Sequence, residues 1–277
     1  MNTYQELCQF CINELKPISD SSNIAILTNY ILEYFGISKF SIDLTEKETQ
    51  NIKSKISETC AQLAIGKPIQ YVLNETQFMD LKLKINESVL IPRPETEELV
   101  YYALQSIKDY KTKKLNILDI GTGSGCIPLM WKFKRPQDEV FAIDISEPAL
   151  NLAQENAKNH KLDIHFLKLD ILNQEFNLDR FDLILSNPPY ISPNEKHLMD
   201  KSVLNYEPHI ALFANHPLQF YERIKILMDK GSKPNVIGFF ELNEFFAKEI
   251  ESIFTPDYST VIIKDLQQKD RILKVTK

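Results

Sequence analysis

The stretch that most limits what this chain can fold into runs from Leu115 to Cys126. An apolar run, Leu115-Asn116-Ile117-Leu118-Asp119-Ile120, breaks there into Gly121-Thr122-Gly123-Ser124-Gly125. The chain has only 7 glycines in 277 residues, and three of them fall inside this loop. Glycine is used where the backbone must take a positive φ or let another group come close, at an entropic cost elsewhere. Such a cluster in a glycine-poor chain predicts a tight turn that cradles a ligand. Cys126 to Trp131 read as the first turns of a helix, with Pro128 near enough to its start that the missing N–H costs little. Strand, glycine loop and helix together form the front of a nucleotide-type site.

The spacing is G-x-G-x-G with an acid, Asp119, two residues ahead of it, and so differs from the G-x-G-x-x-G of hydride-transferring dinucleotide enzymes. A second acid, Asp144, closes the next apolar run, Val140-Phe141-Ala142-Ile143, where a carboxylate can accept hydrogen bonds from ribose hydroxyls. Together the two signals suggest a ligand that contains adenosine, with S-adenosyl-L-methionine as the first choice.

From Leu115 onward apolar strands alternate with helical stretches. Strands are predicted at 115–120, 139–144, 163–168, 181–186 and 235–241, and helices at 125–134, 147–160 and 217–230. That alternation predicts a mostly parallel sheet with helices on both faces. Ser259 to Lys264 and Arg271 to Val275 add an antiparallel pair at the sheet edge. In such a sheet ligands lie beyond the carboxyl ends of the strands. Those ends carry Asp119 with the glycine loop, Asp144, Asp170 and Asn187.

Upstream, residues 1–73 have a helical pattern, with Leu7, Phe10, Cys11 and Leu15 at helix spacing, then Ile24 to Phe35 and Thr45 to Ala64. This segment is a small helical domain that serves either as packing or as a docking surface for a macromolecular substrate. Residues 74–92 read as a hairpin and linker, because Phe78, Leu81, Leu83 and Ile85 alternate with Lys82 and Lys84. In Ile91-Pro92-Arg93-Pro94 the prolines hold Ile91 and Arg93 extended. Thr96 or the neighbouring carboxylates then start a helix, and residues 93–277 form the catalytic domain.

Composition narrows the function classes. The chain is 43% hydrophobic and 25% charged with a net charge of -6. An acidic balance speaks against phosphate-driven nucleic-acid binding, and the short basic runs Lys111-Thr112-Lys113-Lys114 and Lys132-Phe133-Lys134-Arg135 read as solvated faces. No run of residues has the length and apolarity of a membrane span, and the start, Met1 to Leu7, lacks a signal-peptide pattern, so a cytoplasmic location is expected. The cysteines Cys8, Cys11, Cys60 and Cys126 are too few for a disulfide scaffold and lack a second C-x-x-C pair. No histidine pair has H-x-x-x-H spacing, and no metal is expected.

The other chemically loaded stretch is Ser186-Asn187-Pro188-Pro189-Tyr190, directly after the strand Phe181 to Leu185. Two prolines give a stiff turn that presents carbonyl acceptors without competing N–H donors. A planar NH2 group can give one hydrogen to Asn187 and the other to a backbone carbonyl of the turn, while its flat π system packs on Tyr190. This suits transfer of an activated methyl carbon to a weakly basic, delocalised nitrogen.

Asp119 to Cys126 followed by Asn187-Pro188-Pro189-Tyr190 resembles the amino-group S-adenosylmethionine methyltransferases. Gly66-Lys67-Pro68-Ile69-Gln70-Tyr71, Phe78, Val89-Leu90-Ile91-Pro92-Arg93-Pro94-Glu95-Thr96-Glu97 and Tyr206-Glu207-Pro208 are similar in particular to the HemK/PrmC family of protein-(glutamine-N5) methyltransferases. So is the ending Asp265-Leu266 to Asp270-Arg271. The resemblance implies a Rossmann-like class I methyltransferase fold of the α/β class, preceded by a small helical domain that helps dock the substrate. It implies that S-adenosyl-L-methionine is bound by Asp119, Gly121, Thr122, Gly123, Ser124, Gly125 and Asp144, with Asp170 and Ile171 against the adenine and Asn187 close by. Asn187, Pro188, Pro189 and Tyr190 would hold the substrate amide, with Asn187, Pro188 and Tyr190 as the catalytic set. The implied substrate is the glutamine of the Gly-Gly-Gln loop in peptide chain release factors, and a monomer is expected. The chain departs from the family at Ile171, where an aromatic is common, at Phe213 to Pro217 and at Glu241-Leu242-Asn243. Alternatives are a glutamine methyltransferase of a ribosomal protein, a nucleic-acid amino methyltransferase, and a non-catalytic sensor of the cofactor. The sensor would not need the Asn-Pro-Pro-Tyr turn.

Overall fold

The computed structural model describes residues 3–40, 44–108 and 113–277. Met1 and Asn2 of the N-terminal reading, and Lys111 and Thr112 of the first basic run, lie outside the described residues. The chain divides into two compact units, Met1–Asn74 and Glu75–Lys277.

The first unit is built from helices α1 (Thr3–Leu15), α2 (Ser21–Tyr34), α3 (Glu46–Ala64) and the short α4 (Ile69–Leu73). Their apolar residues recur at helix spacing, so one stripe of each is removed from water. Leu7, Cys11 and Leu15 of α1 meet Ile31 and Leu32 of α2 and Ile56 and Cys60 of α3 in one buried cluster. Both longer entries are capped: the Asp20 side chain accepts from Asn23 N, and Thr45 forms a reciprocal capping box with Glu48. Thr45 is therefore the cap of α3, not its first residue.

The second unit opens with the antiparallel hairpin of β1 (Glu75–Phe78) and β2 (Leu81–Lys84), in which Leu81 and Leu83 are buried while Lys82 and Lys84 face solvent. Helix α5 (Pro94–Ser106) follows, entered through an extended Arg93 at φ -100 and ψ 151. Pro94 sits at its first turn, where the pyrrolidine ring is pre-set for helix, so the helix starts earlier than Thr96 and its carboxylate neighbours suggested. The chain then runs through β3 (Asn116–Ile120), α6 (Cys126–Lys134), β4 (Glu139–Asp144), α7 (Glu147–His160), β5 (His165–Lys168) and β6 (Leu183–Ser186). It continues with the short α8 (Lys201–Tyr206) and α9 (His209–Leu212), then α10 (Gln219–Gly231), β7 (Ile237–Glu241), α11 (Ala247–Phe254), β8 (Ser259–Lys264) and β9 (Asp270–Thr276).

The main sheet has seven strands in the order β5-β4-β3-β6-β7-β9-β8, the first five parallel and the last two antiparallel to their neighbours. Alternation along the central strands sorts residues to two faces. Ile117, Leu183, Leu185 and Phe239 join the cluster beneath α5 and α6, while Leu118, Ile184 and Phe240 join the cluster beneath α10 and α11. This is a class I methyltransferase fold. The order reverses between β3 and β6, because the chain winds outward through β4 and β5 and then returns to the other side of β3. A crevice at such a switch point is where open α/β sheets take ligands. β9 lies inside β8, next to β7, so the predicted antiparallel pair occupies one edge with its second strand innermost. The sequence reading did not contain α4, α8, α9 or α11.

Candidate active site

Two loops leave the sheet side by side at the switch point. Ile120 and Ser186 are register partners at the ends of β3 and β6, and the Ser186 hydroxyl donates to the Ile120 carbonyl at 2.8 Å. From β3 springs the glycine loop and from β6 the Asn187-Pro188-Pro189-Tyr190 turn. Both open into one cavity of about 320 Å³ lined also by residues of β4, of the segment Leu169 to Leu172 after β5, and of α9.

The glycine loop is held mainly by backbone hydrogen bonds, two of them to the end of β4. Gly121 and Thr122 N–H donate to the Ile143 carbonyl at 2.9 and 3.1 Å, and Gly125 N–H donates back to Thr122 at 2.8 Å. Gly123 has φ +52 with nothing within 4 Å of where a Cβ would stand, so the loop leaves open space above it. Gly125 has φ +82, and a Cβ there would run into the Leu129 side chain and Ala153. It is glycine because helix α6 packs too closely for anything larger. Asn156 of α7 ties this loop to the hairpin: its Nδ2 donates to the Ser124 carbonyl at 3.0 Å and to the Lys84 carbonyl at 2.9 Å.

Two carboxylates face this loop in different states. Asp144 uses one oxygen to accept from Gly123 N–H at 2.8 Å and the other to accept from Ser146 N–H at 2.9 Å. Each oxygen keeps a lone pair for a ligand. Burial pushes its pKa up, against the opposing pull of those backbone donors. Asp119 is fully buried and neither of its carboxylate oxygens has a hydrogen-bond partner. Burial pushes it up to about 7; the nearby Thr122 hydroxyl pulls it down without completing a hydrogen bond, and the charge of Asp144 pushes it further up. The Thr122 and Ser124 hydroxyls are buried and unpartnered too.

Orphaned buried polar groups are costly, and this cluster fits S-adenosyl-L-methionine. A buried carboxylate could face the ligand's cationic end, Asp144 could take ribose hydroxyls, and the apolar wall of Ile145, Leu169 and Ile171 could take a flat base. Asp170 is half-buried, with its carboxylate accepting from Leu172 N–H at 3.0 Å and Asn173 Nδ2 at 2.7 Å, and Ile171 is buried beside it.

At the other end of the cavity the side chains are partnered. Asn187 Nδ2 donates to Thr96 Oγ1 at 3.0 Å, Thr96 Oγ1 donates to Glu241 Oε2 at 2.7 Å, and the Tyr190 hydroxyl donates to Glu241 Oε1 at 3.3 Å. Pro188 is buried and Pro189 lines the cavity. A second cavity of about 300 Å³ adjoins the turn, lined by Arg93, Asn187, Pro188 and Tyr190 with Leu198, Asp200 and Val203. Arg93 pairs with Glu207 at 2.6 Å, and Glu207 also accepts from Ile91 N–H at 3.4 Å, which fastens the proline linker to the end of α8.

Of the residues singled out from the sequence, Gly121 to Ser124, Asp144, Asp170, Ile171 and Asn187 to Pro189 line the first cavity, Tyr190 lines the second, and Asp119 and Gly125 line neither. Thr96, Glu241, Glu207 and Asn156 were missed as parts of the site. The signal for Glu241 was present: it closes β7 as Asp144 closes β4. For Asn156 no sequence signal existed, since it lies in an ordinary amphipathic helix. Among the described residues no cluster of His, Cys, Asp and Glu could hold a metal ion, and no helix is long and apolar enough to cross a membrane.

Fold and crevice define a methyltransferase, and residues 102–207 match the family model of the methyltransferase small domain. Among solved structures, the catalytic domain of hMettl16 in complex with MAT2A 3'UTR hairpin 6 aligns with a TM-score of 0.56 over 80% of this chain and 81% of that one, at 16% identity, a likeness of fold alone. The release factor glutamine methyltransferase of Flavobacterium psychrophilum is 42% identical over 95% of both chains. That of Lactococcus lactis is 39% identical over 84% of this chain and 86% of its own. The chain belongs to the release factor glutamine methyltransferase family.

Proposed function

We propose that this enzyme transfers a methyl group from S-adenosyl-L-methionine to the side-chain amide nitrogen, N5, of the glutamine in the Gly-Gly-Gln loop of peptide chain release factors, in the cytoplasm. The observation that carries the reading is that the glycine loop and the Asn-Pro-Pro-Tyr turn, on adjacent strands, open into one cavity. The names and extent of the relatives support the substrate. The net charge of -6 favours a protein partner over nucleic acid.

Bound in the crevice, the cofactor supplies an electrophilic methyl carbon. The chain's own residues aim the nucleophile. Asn187 Oδ1 and the carbonyls of the proline turn accept the two amide hydrogens, so the nitrogen's π face is held in one direction. Tyr190, with its hydroxyl tied to Glu241, gives a fixed flank for the planar group. Alignment of this kind supplies roughly 7–11 kcal/mol in well-ordered systems. As the nitrogen becomes positive, Asn187 Oδ1 gains electrostatic strength against its hydrogens. No side chain need act as a strong base, because a protonated N-methyl amide is very acidic and loses its proton to water. Among its described residues the helical unit Met1–Asn74 carries no acid–base cluster or glycine loop, and its role is docking of the release factor.

The test is a transfer assay with labelled S-adenosyl-L-methionine that offers purified release factors, ribosomes and bulk nucleic acid side by side, with mass mapping of the labelled peptide. Label on the glutamine of the Gly-Gly-Gln loop is expected. Label on a ribosomal protein or on nucleic acid overturns the substrate, and tight cofactor binding without transfer points to a sensor.

A further inference from the structure

We infer that Thr96 and Glu241 fix which way the Asn187 carboxamide faces, so that its oxygen and not its NH2 group is turned to the substrate nitrogen. This rests on the functional reading above and adds two positioning residues to it. A carboxamide has two orientations of nearly the same shape, and only one of them suits an amide NH2 nucleophile: oxygen outward offers an acceptor, whereas NH2 outward sets donor against donor. Neither proline nor tyrosine in the turn can choose between them.

The count of hydrogens makes the choice. Thr96 has one hydroxyl hydrogen, and its Oγ1 stands between Glu241 Oε2 at 2.7 Å and Asn187 Nδ2 at 3.0 Å. An ionised carboxylate has no hydrogen to give, so Thr96 must donate to Glu241, and toward Asn187 it is left with lone pairs only. Asn187 therefore turns its NH2 to Thr96, and planarity turns Oδ1 the other way. The same carboxylate receives the Tyr190 hydroxyl at 3.3 Å on its second oxygen, so one buried acid holds both polar ends of the turn. Three elements meet here: Thr96 from the first turn of α5, Asn187 from the end of β6 and Glu241 from the end of β7. Thr96 and Glu241 are 2% and 1% exposed, so water does not compete for these bonds.

The groups facing Glu241 come from every side. Glu95 of α5 and Arg271 of β9 act on it through charge, with Tyr190 and Thr96 as donors; the Tyr221 hydroxyl of α10 donates to its backbone carbonyl at 2.6 Å. Burial pushes the carboxyl up to about 7, against the Thr96 bond and Arg271. Once protonated, Glu241 can donate to Thr96, which frees the threonine hydrogen for Asn187 Oδ1 and removes the preference. Orientation thus sets in as pH rises through about 7 and is lost as pH falls through it.

The test compares Thr96→Val, which keeps the shape and removes the hydroxyl, with Thr96→Ser, which keeps the hydroxyl. It uses full-length protein, a purified release factor and saturating S-adenosyl-L-methionine. Thr96→Val is expected to lose about tenfold in kcat, the factor that goes with one buried hydrogen bond left unmade. Its cofactor affinity should stay unchanged, which also shows that it is folded. Thr96→Ser should keep kcat within about twofold, and the fall of kcat below pH 7 expected of the wild type should be absent from Thr96→Val. As a readout without turnover, the side-chain amide hydrogens of Asn187 in ¹⁵N-asparagine-labelled protein should be protected from exchange in wild type and Thr96→Ser and unprotected in Thr96→Val. Wild-type kcat in Thr96→Val, or equal loss in Thr96→Ser, overturns the orientation while transfer by the wild type still stands. A wild type that transfers nothing to the glutamine overturns the functional reading itself, and the orientation with it.

Discussion

The two ends of the crevice are built on opposite principles. At the β3 end the backbone is bonded and the side chains are not: the loop's N–H groups donate to Ile143, to Asp144 and to Thr122, while the side chains of Asp119, Thr122 and Ser124 are buried without partners. At the β6 end the side chains are complete: Asn187, Thr96, Glu241 and Tyr190 form a continuous chain of bonds. Unmade buried bonds are a standing cost that a ligand can remove. Made bonds hold geometry whether or not a ligand is present. The β3 end is therefore a place for gaining affinity, and the β6 end a place for aiming a reaction. Substitutions at the first should act on binding and stability, and at the second on kcat.

The largest effect belongs to the aiming end. Asn187→Ala removes an acceptor that strengthens as charge develops on the substrate nitrogen, and kcat should fall by about a hundredfold. The cofactor dissociation constant, read by calorimetric titration, should stay within about threefold. Equal losses in both would erase the distinction between the ends. Next comes Asp144→Ala, which takes the acceptor from Gly123 N–H and Ser146 N–H and removes the candidate ribose contact. Cofactor affinity should fall by about tenfold or more, with kcat at saturating cofactor little changed. Unchanged affinity would sink the ribose assignment.

How much of this was legible in the sequence follows the same division. The binding end announces itself, since only glycine meets the backbone demands at Gly123 and Gly125 and a local pattern is enough to find them. The parallel sheet was legible from its apolar runs, because buried strands carry few polar residues. The strand limits shifted inward where the run began with a residue outside the ladder, as at Phe181 and Asp182 before β6. The short helices α4, α8 and α9 were not legible, because four to six residues show too little periodicity. The aiming end was half legible. Asn187 to Tyr190 stood out, but Thr96 and Glu241 lie 91 residues before Asn187 and 51 residues after Tyr190 along the chain, and only the sheet order brings them together. A threonine near a helix start has an ordinary local reading as a cap, and that reading concealed a residue whose hydroxyl bonds across to β7.

The smallest effect is on stability, and it separates the ends by pH. Asp119 and Glu241 are both raised to about 7 by burial, from ordinary values of 3.8 and 4.5. A folded acid with a raised pKa binds its proton where the unfolded chain has already released it, so stability is highest below the unfolded value and is lost as pH rises through the folded one. Free of ligand, the protein should have a higher Tm near pH 6 than near pH 8. Asp119→Asn should flatten part of that slope and raise Tm at pH 8. Saturating S-adenosyl-L-methionine should flatten the same part, because a cationic ligand group beside Asp119 restores its ionised form, and should leave the part due to Glu241 standing. Differential scanning calorimetry at the two pH values, with and without cofactor, on wild type and Asp119→Asn decides it. If cofactor leaves the slope of the wild type untouched, Asp119 does not face the ligand's charge, and the binding end must draw its affinity from Asp144 and the loop backbone alone.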